Sequence, residues 1–134
     1  MDITGINYIA VIVSALTAFF LGFLWYTIIF AKAWQKEIGM KVDKKGSETP
    51  ELGRLLIGSL IMEIIMAFVI SVLIGKDADW LTGLEKGAAI GFGLVALAFG
   101  VNYLFEGKSI KLWLINAGYN VVIFSLMGLI IGAM

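Results

Sequence analysis

Four apolar runs dominate the chain, Ile6 to Phe30, Leu55 to Ile74, Ala88 to Phe105 and Leu112 to Met134. Each comes close to the roughly 20 helical residues that cross the hydrocarbon core of a bilayer. Backbone N–H and C=O groups in lipid must be satisfied within the segment, so runs of this length read as helices rather than strands. Of 134 residues, 60% are hydrophobic and only 15% charged. A soluble domain of that size has too few charges here to cover its outside. The expected fold is therefore all-α: an integral membrane protein with one domain, residues 1–134, forming a bundle of four transmembrane helices. The helices are expected at about 6–30, 52–75, 83–106 and 109–133, joined by short loops.

Local signals mark the ends of these helices. Thr49, Pro50 and Glu51 supply a cap, a first-turn proline and an acid for helix two. Thr82 and Glu85 have the spacing of a capping box for helix three, and Ser109 can cap helix four. Gly75 and Gly107 suit left-handed stops after helices two and three. In the first loop, "AKAWQKEIG" puts Trp34 and Ile38 on one face of a short helix suited to the membrane surface, with Lys32 and Lys36 reaching headgroups.

Basic residues set the expected orientation. Lys32, Lys36, Lys41, Lys44, Lys45 and Arg54 lie between helices one and two, and Lys108 and Lys111 between three and four. Only Lys76 and Lys86 lie on the other side. The positive-inside rule makes loops 31–51 and 106–111 cytoplasmic and both termini external, in the cell membrane. "MDITG" has no basic region, so the first run is expected to stay as a span rather than be cleaved as a signal. Trp25, Tyr26, Trp34, Trp80 and Trp113 fall near the interfaces, where anchoring explains them.

Cysteine and histidine are both absent, which removes thiolates, the commonest zinc and haem ligands and the usual general base. No spaced constellation of Glu, Lys, Tyr and Ser replaces them, so neither an enzyme nor a metal or other cofactor is expected. A formal net charge of zero gives no footprint for nucleic acid. The expected partners are the lipid bilayer, further copies of the chain and a small solute or ion.

Small residues must bring the helices together, because apolar contact gives little reason to associate in lipid. Helix one carries Ala10, Ser14, Ala18 and Gly22 at a spacing of four, and helix two Ser59, Glu63, Ala67 and Ser71. Helix three offers Ala89, Gly93, Ala96 and Gly100. Gly128 and Gly132 form a GxxxG pair in helix four, the expected contact of a symmetric homo-oligomer.

Polar residues within the spans are costly and mark candidate sites. Glu63 lies roughly 13 Å into helix two, near mid-bilayer. Thr17, Asn116, Tyr119 and Asn120 reach a similar depth and are its expected partners. A proton- or cation-coupled site and an acid that merely joins helices through the amides both fit this placement. Nearer the basic side, Asn102, Tyr103, Glu106, Lys108, Lys111 and Trp113 cluster about the hairpin between helices three and four, the expected cytoplasmic mouth of a path. Glu106 and Lys111 carry the wrong signs for their helix dipoles, which a Glu106 pair with Lys108 or Lys111 would offset.

"NYLFEGKSIKLWLINAGYN" followed by "LMGLIIGA", with "INYIAVIVSA", "GFLWYT" and "AKAWQKEIGM" near the start, resembles the membrane-protein family called domain of unknown function 1761. The resemblance covers nearly the whole chain and implies a small multi-pass membrane protein, with no activity attached. Its motif residues include Asn7, Trp25, Tyr26, Trp34, Tyr103, Asn116 and Tyr119, but not Glu63. Two functions compete: an oligomeric transporter or channel with a polar path through the bundle, and a noncatalytic scaffold or accessory subunit whose polar groups only fix packing.

Overall fold

The computed structural model describes residues 2–39 and 52–134. The expected cap at Thr49, Pro50 and Glu51, and the loop residues Lys41, Lys44 and Lys45, lie outside them. Four helices are long and apolar enough to cross a bilayer: Tyr8–Ile29, Gly53–Ile74, Trp80–Glu106 and Ile110–Ala133, with mean hydropathies of 2.1, 2.5, 1.9 and 1.9. Large apolar side chains such as Phe20, Ile57, Leu94 and Leu104 point outward, the arrangement lipid rather than water demands. The protein is an all-α, multi-pass membrane protein.

The first span comprises α1, Tyr8–Leu24, and a wide π turn, Trp25–Ile29, closed by the Phe30 N–H on the Trp25 carbonyl at 2.8 Å. A short helix α2, Ala31–Ile38, follows and stops at Gly39 with φ 71°. The second span is α3, Leu52–Ile74. The third runs through α4, Trp80–Ile90, a second π turn, Gly91–Ala96, and α5, Leu97–Glu106. The fourth span, α6, covers Ile110–Ala133. We call the end holding α2 and the 107–109 turn the hairpin end, and the other the terminal end.

Helix three begins at Trp80, not at 83, and its cap is not Thr82. The Asp79 carboxylate accepts the Thr82 N–H at 2.7 Å, so Thr82 is already inside the first turn. An acid at this position satisfies an orphan N–H and complements the helix dipole, which a threonine hydroxyl does less well. Hydrogen bonds from the Thr82 backbone and side chain hold the Asp79 carboxyl below the usual carboxylate range. At the other ends, Ser109 Oγ accepts the Leu112 N–H at 3.0 Å to cap α6, and Gly75 and Gly107 take φ 85° and 67°. Lys86 reaches across to donate to the Ile74 carbonyl at 3.0 Å, a cation at the C-terminus of α3.

The third and fourth spans touch backbone to backbone. A Cβ on Gly83 would fall on the Gly128 carbonyl, one on Gly87 on the Phe124 carbonyl, and one on Gly132 on the Asp79 carbonyl. Two expectations are corrected here. Gly128 and Gly132 face the chain's own third span, so this pair is not a free surface for a second copy. On that third span the packing stripe is Gly83, Gly87 and Gly91; Ala89 and Gly93 are exposed, Ala96 is buried and Gly100 meets the Trp113 ring. Ala89 and Gly93 each lie two residues from a stripe glycine, roughly 200° around the helix and so on its outer side. The extra residue of the π turn changes the face beyond it, where Ala96 and Gly100 turn inward. On the first span, Ala10, Ser14 and Ala18 are buried and Gly22 half-buried against Tyr119.

Around this pair, α1 packs on α6 and α3 packs on α1, while α3 meets the third span chiefly through α4. Val11, Ala15, Ala67, Ile70, Ile123 and Met127 fill the interior toward the terminal end. In the hairpin half α3 and α5 diverge and leave a space between them.

Gly128→Ala is expected to destabilise the protein by about 1 to 3 kcal/mol through overpacking. Gly93→Ala, with nothing within 4 Å of its added Cβ, is expected to be neutral or mildly stabilising. Unfolding of both variants by a denaturing detergent checks the contrast.

Candidate functional site

The space in the hairpin half is a cavity of about 500 Å³, enclosed by the first, second and fourth spans, α5 and α2. Its size is that of a small-molecule site. Phe19, Phe23, Leu55, Leu56 and Phe99 make most of its wall apolar. Trp34 from α2 closes it on one side, held edge-on to Tyr26 at 5.1 Å between ring centroids. Glu63, Tyr119, Asn116, Asn120, Ser59 and Thr27 supply its polar lining.

Glu63 is only 6% exposed. Its Oε1 lies 2.6 Å from the Tyr119 hydroxyl, and its Oε2 has no hydrogen-bond partner among the described residues. Tyr119 Oη also lies 2.9 Å from the Ala18 carbonyl. A phenol has one hydrogen to give. When it goes to Ala18, which can only accept, Glu63 must carry a proton and donate to the tyrosine oxygen. When Glu63 is ionised, it takes the tyrosine hydrogen instead. Gly22 makes this contact feasible, since a Cβ there would sit 2.7 Å from the hydroxyl.

A second network lies closer to the hairpin. Tyr26 donates to Asn116 Oδ1 at 2.7 Å, and Asn116 Nδ2 donates to the Tyr103 hydroxyl at 2.7 Å. One amide thus joins the first, third and fourth spans and fixes its own orientation. Asn120 turns its amide back to the Asn116 carbonyl at 2.8 Å. The two networks touch through the Tyr26 and Tyr119 rings, 5.3 Å apart.

Both π turns bear on this region. The first carries Trp25, whose indole donates to the Ile115 carbonyl at 2.9 Å, and Tyr26. The second ends at Ala96, whose carbonyl accepts the Trp113 indole N–H at 2.8 Å. Indole N–H groups in hydrocarbon need such partners. Gly118 and Gly100 leave room for the Trp25 and Trp113 rings respectively.

The structure brings Glu63, Tyr119, Asn116 and Asn120 to one cavity but joins Glu63 directly to Tyr119 alone. Thr17 is not a partner: its hydroxyl donates to the Val13 carbonyl of its own helix at 2.8 Å, the usual way to satisfy a threonine in lipid. The expected mouth residues do not line the cavity. Asn102 and Lys111 are exposed, Trp113 pins α6 to the π turn, and Glu106 pairs with Lys108 at 3.2 Å on the surface. Lys108 also lies 5.0 Å from the Tyr103 ring centroid, and only Tyr103 of the six joins the inner network. Trp34, Thr27 and Leu55, not those residues, are part of the lining. Ser109, while capping α6, donates to Glu37 of α2 at 2.6 Å and so ties that helix to the hairpin. Phe19, Phe23 and Phe99 carried no polar signal in the sequence, and Tyr26 and Trp34 satisfied an anchoring reading equally well.

A family model described as protein of unknown function, DUF1761, matches residues 9–132. The chain belongs to the DUF1761 family. The match takes in every wall of the cavity, from Phe19 to Asn120, so the DUF1761 region and the bundle coincide. No curated protein and no solved structure matches the chain.

Tyr119→Phe removes the only side-chain bond to Glu63 among the described residues and is expected to cost about 1 to 3 kcal/mol, the penalty for stranding a buried polar group. In a Glu63→Leu background the same change is expected to cost less. A double-mutant cycle on detergent-solubilised protein reads the coupling.

Proposed function

We propose that this DUF1761 protein is a carrier that binds a small solute in the hairpin-half cavity and passes it across by rearranging its spans. The reading is carried by one observation: a cavity of about 500 Å³ whose lining includes the buried Glu63, one of its carboxyl oxygens having no hydrogen-bond partner among the described residues. Ionisable groups at this depth are expensive and are kept where they act on a ligand or ion. Beyond Glu63 the interior is filled by Ala67, Ile70, Ile123 and their neighbours, which argues against a standing polar channel and for alternating access. The proposed setting is the cell membrane with the hairpin end cytoplasmic, because the basic residues concentrate there. No chemical step is part of the proposal.

A scaffold or accessory subunit remains the competing reading, favoured by the Tyr119 bond to Ala18, which has a plain packing role. The chain has no cysteine, so single-cysteine variants separate the two cleanly. Ser59 lines the cavity, whereas Ser14 is 0% exposed within the packed layer, between Val11 and Ala18. In sealed vesicles of known orientation, a membrane-impermeant maleimide should label Ser59→Cys from the hairpin side. A carrier should also expose Ser14→Cys to the opposite side. If Ser14→Cys stays unlabelled in the folded protein, the carrier reading fails and the scaffold stands.

A further inference from the structure

We infer that the ligand of the hairpin-half cavity is a lipophilic organic cation, its positive charge held at Glu63 and its apolar groups against the aromatic wall. This rests on the carrier reading for its setting, but the binding it predicts is measured without transport.

The charge follows from what the cavity contains. Among the described residues Glu63 is its one acid, is more than nine-tenths buried and leaves Oε2 without a hydrogen bond. Among the same residues no lysine or arginine lines the cavity, so none of them supplies the counter-charge there. The neighbouring polar groups, Tyr119, Tyr26, Asn116, Asn120, Ser59 and Thr27, are all uncharged. An anionic ligand would meet the carboxyl without a cationic donor to offset it. A cation converts the same carboxyl from a desolvated liability into half of an ion pair.

The shape and lining narrow the class further. Six aromatic side chains, Phe19, Phe23, Tyr26, Trp34, Phe99 and Tyr119, line the cavity and come from four different helices. Ring faces attract cations, most strongly where water is excluded. A bare inorganic ion is a poor fit: hard cations take six or more oxygen ligands, and the described residues hold no group of three or more acidic or other metal-binding side chains. A volume of about 500 Å³ suits an organic ion with several apolar substituents. Leu55 and Leu56 of α3 and Phe99 of α5 add apolar wall against which such substituents can pack.

The test compares two nearly isosteric ions of opposite charge, tetraphenylphosphonium and tetraphenylborate, by equilibrium binding to the full chain in lipid nanodiscs with empty nanodiscs subtracted. Saturable binding of the phosphonium, with borate binding no better than to empty discs, is the expected result. Glu63→Gln should weaken phosphonium binding at least about tenfold, since breaking a buried pair is costly. Phe99→Leu, which keeps the wall apolar but removes a ring, should weaken it about threefold. Equal binding of both ions, no saturable phosphonium binding, or binding unchanged in a folded Glu63→Gln variant overturns the inference. Should Glu63→Gln fail to fold, the wild-type comparison and Phe99→Leu decide the matter alone. Labelling of Ser14→Cys without phosphonium binding would sink this ligand class and leave the carrier reading in place.

Discussion

The approach of the third span to the fourth, backbone against backbone, is the constraint on which the rest of the bundle turns. Gly83 and Gly128 meet so closely that neither could carry a Cβ without displacing the other helix. In lipid such proximity is what lets dispersion and weak backbone contacts hold helices that have no hydrophobic reason to associate. It draws the terminal half of the molecule into a dry, filled layer. The hairpin half is built differently: Trp25, Trp113 and Tyr119 lie between helices, each against a glycine on the facing span. Rings are wider than carbonyls, so the helices stand farther apart there and a cavity results.

The same rings keep that wider half from being loosely made. Each brings a polar hydrogen that hydrocarbon will not accept unpaired, and each finds a named acceptor: Ile115 for Trp25, Ala96 for Trp113 and Ala18 or Glu63 for Tyr119. The hydrogen bonds therefore give the spaced half its geometry, as the glycines give the tight half its own. Glu63 sits at the boundary between the two, with its neighbour Ala67 already in the packed layer.

Much of this was legible in the sequence. Four crossings follow from four apolar runs, and the turns at Gly75 and Gly107 and the cap at Ser109 follow from residues whose backbone chemistry has few other uses. The depth of Glu63 and its neighbourhood with Tyr119, Asn116 and Asn120 follow from helical rise. The third span was misread for a physical reason: small residues run along two of its sides, Gly83, Gly87 and Gly91 on one and Ala89 and Gly93 on the other, and spacing alone does not say which side a neighbouring helix takes. The start of that span was misplaced because an aspartate and a threonine three residues apart can both cap. The aromatic wall was hidden because a tryptophan or tyrosine near a helix end suits the membrane interface and a cavity equally, and only the tertiary fold distinguishes them.

A lone phenolic hydrogen shared between Ala18 and Glu63 makes chemistry and mechanics a single variable. A change in the acid's charge therefore redirects that hydrogen, and with it the one bond by which the Tyr119 hydroxyl ties the fourth span to the first at Ala18.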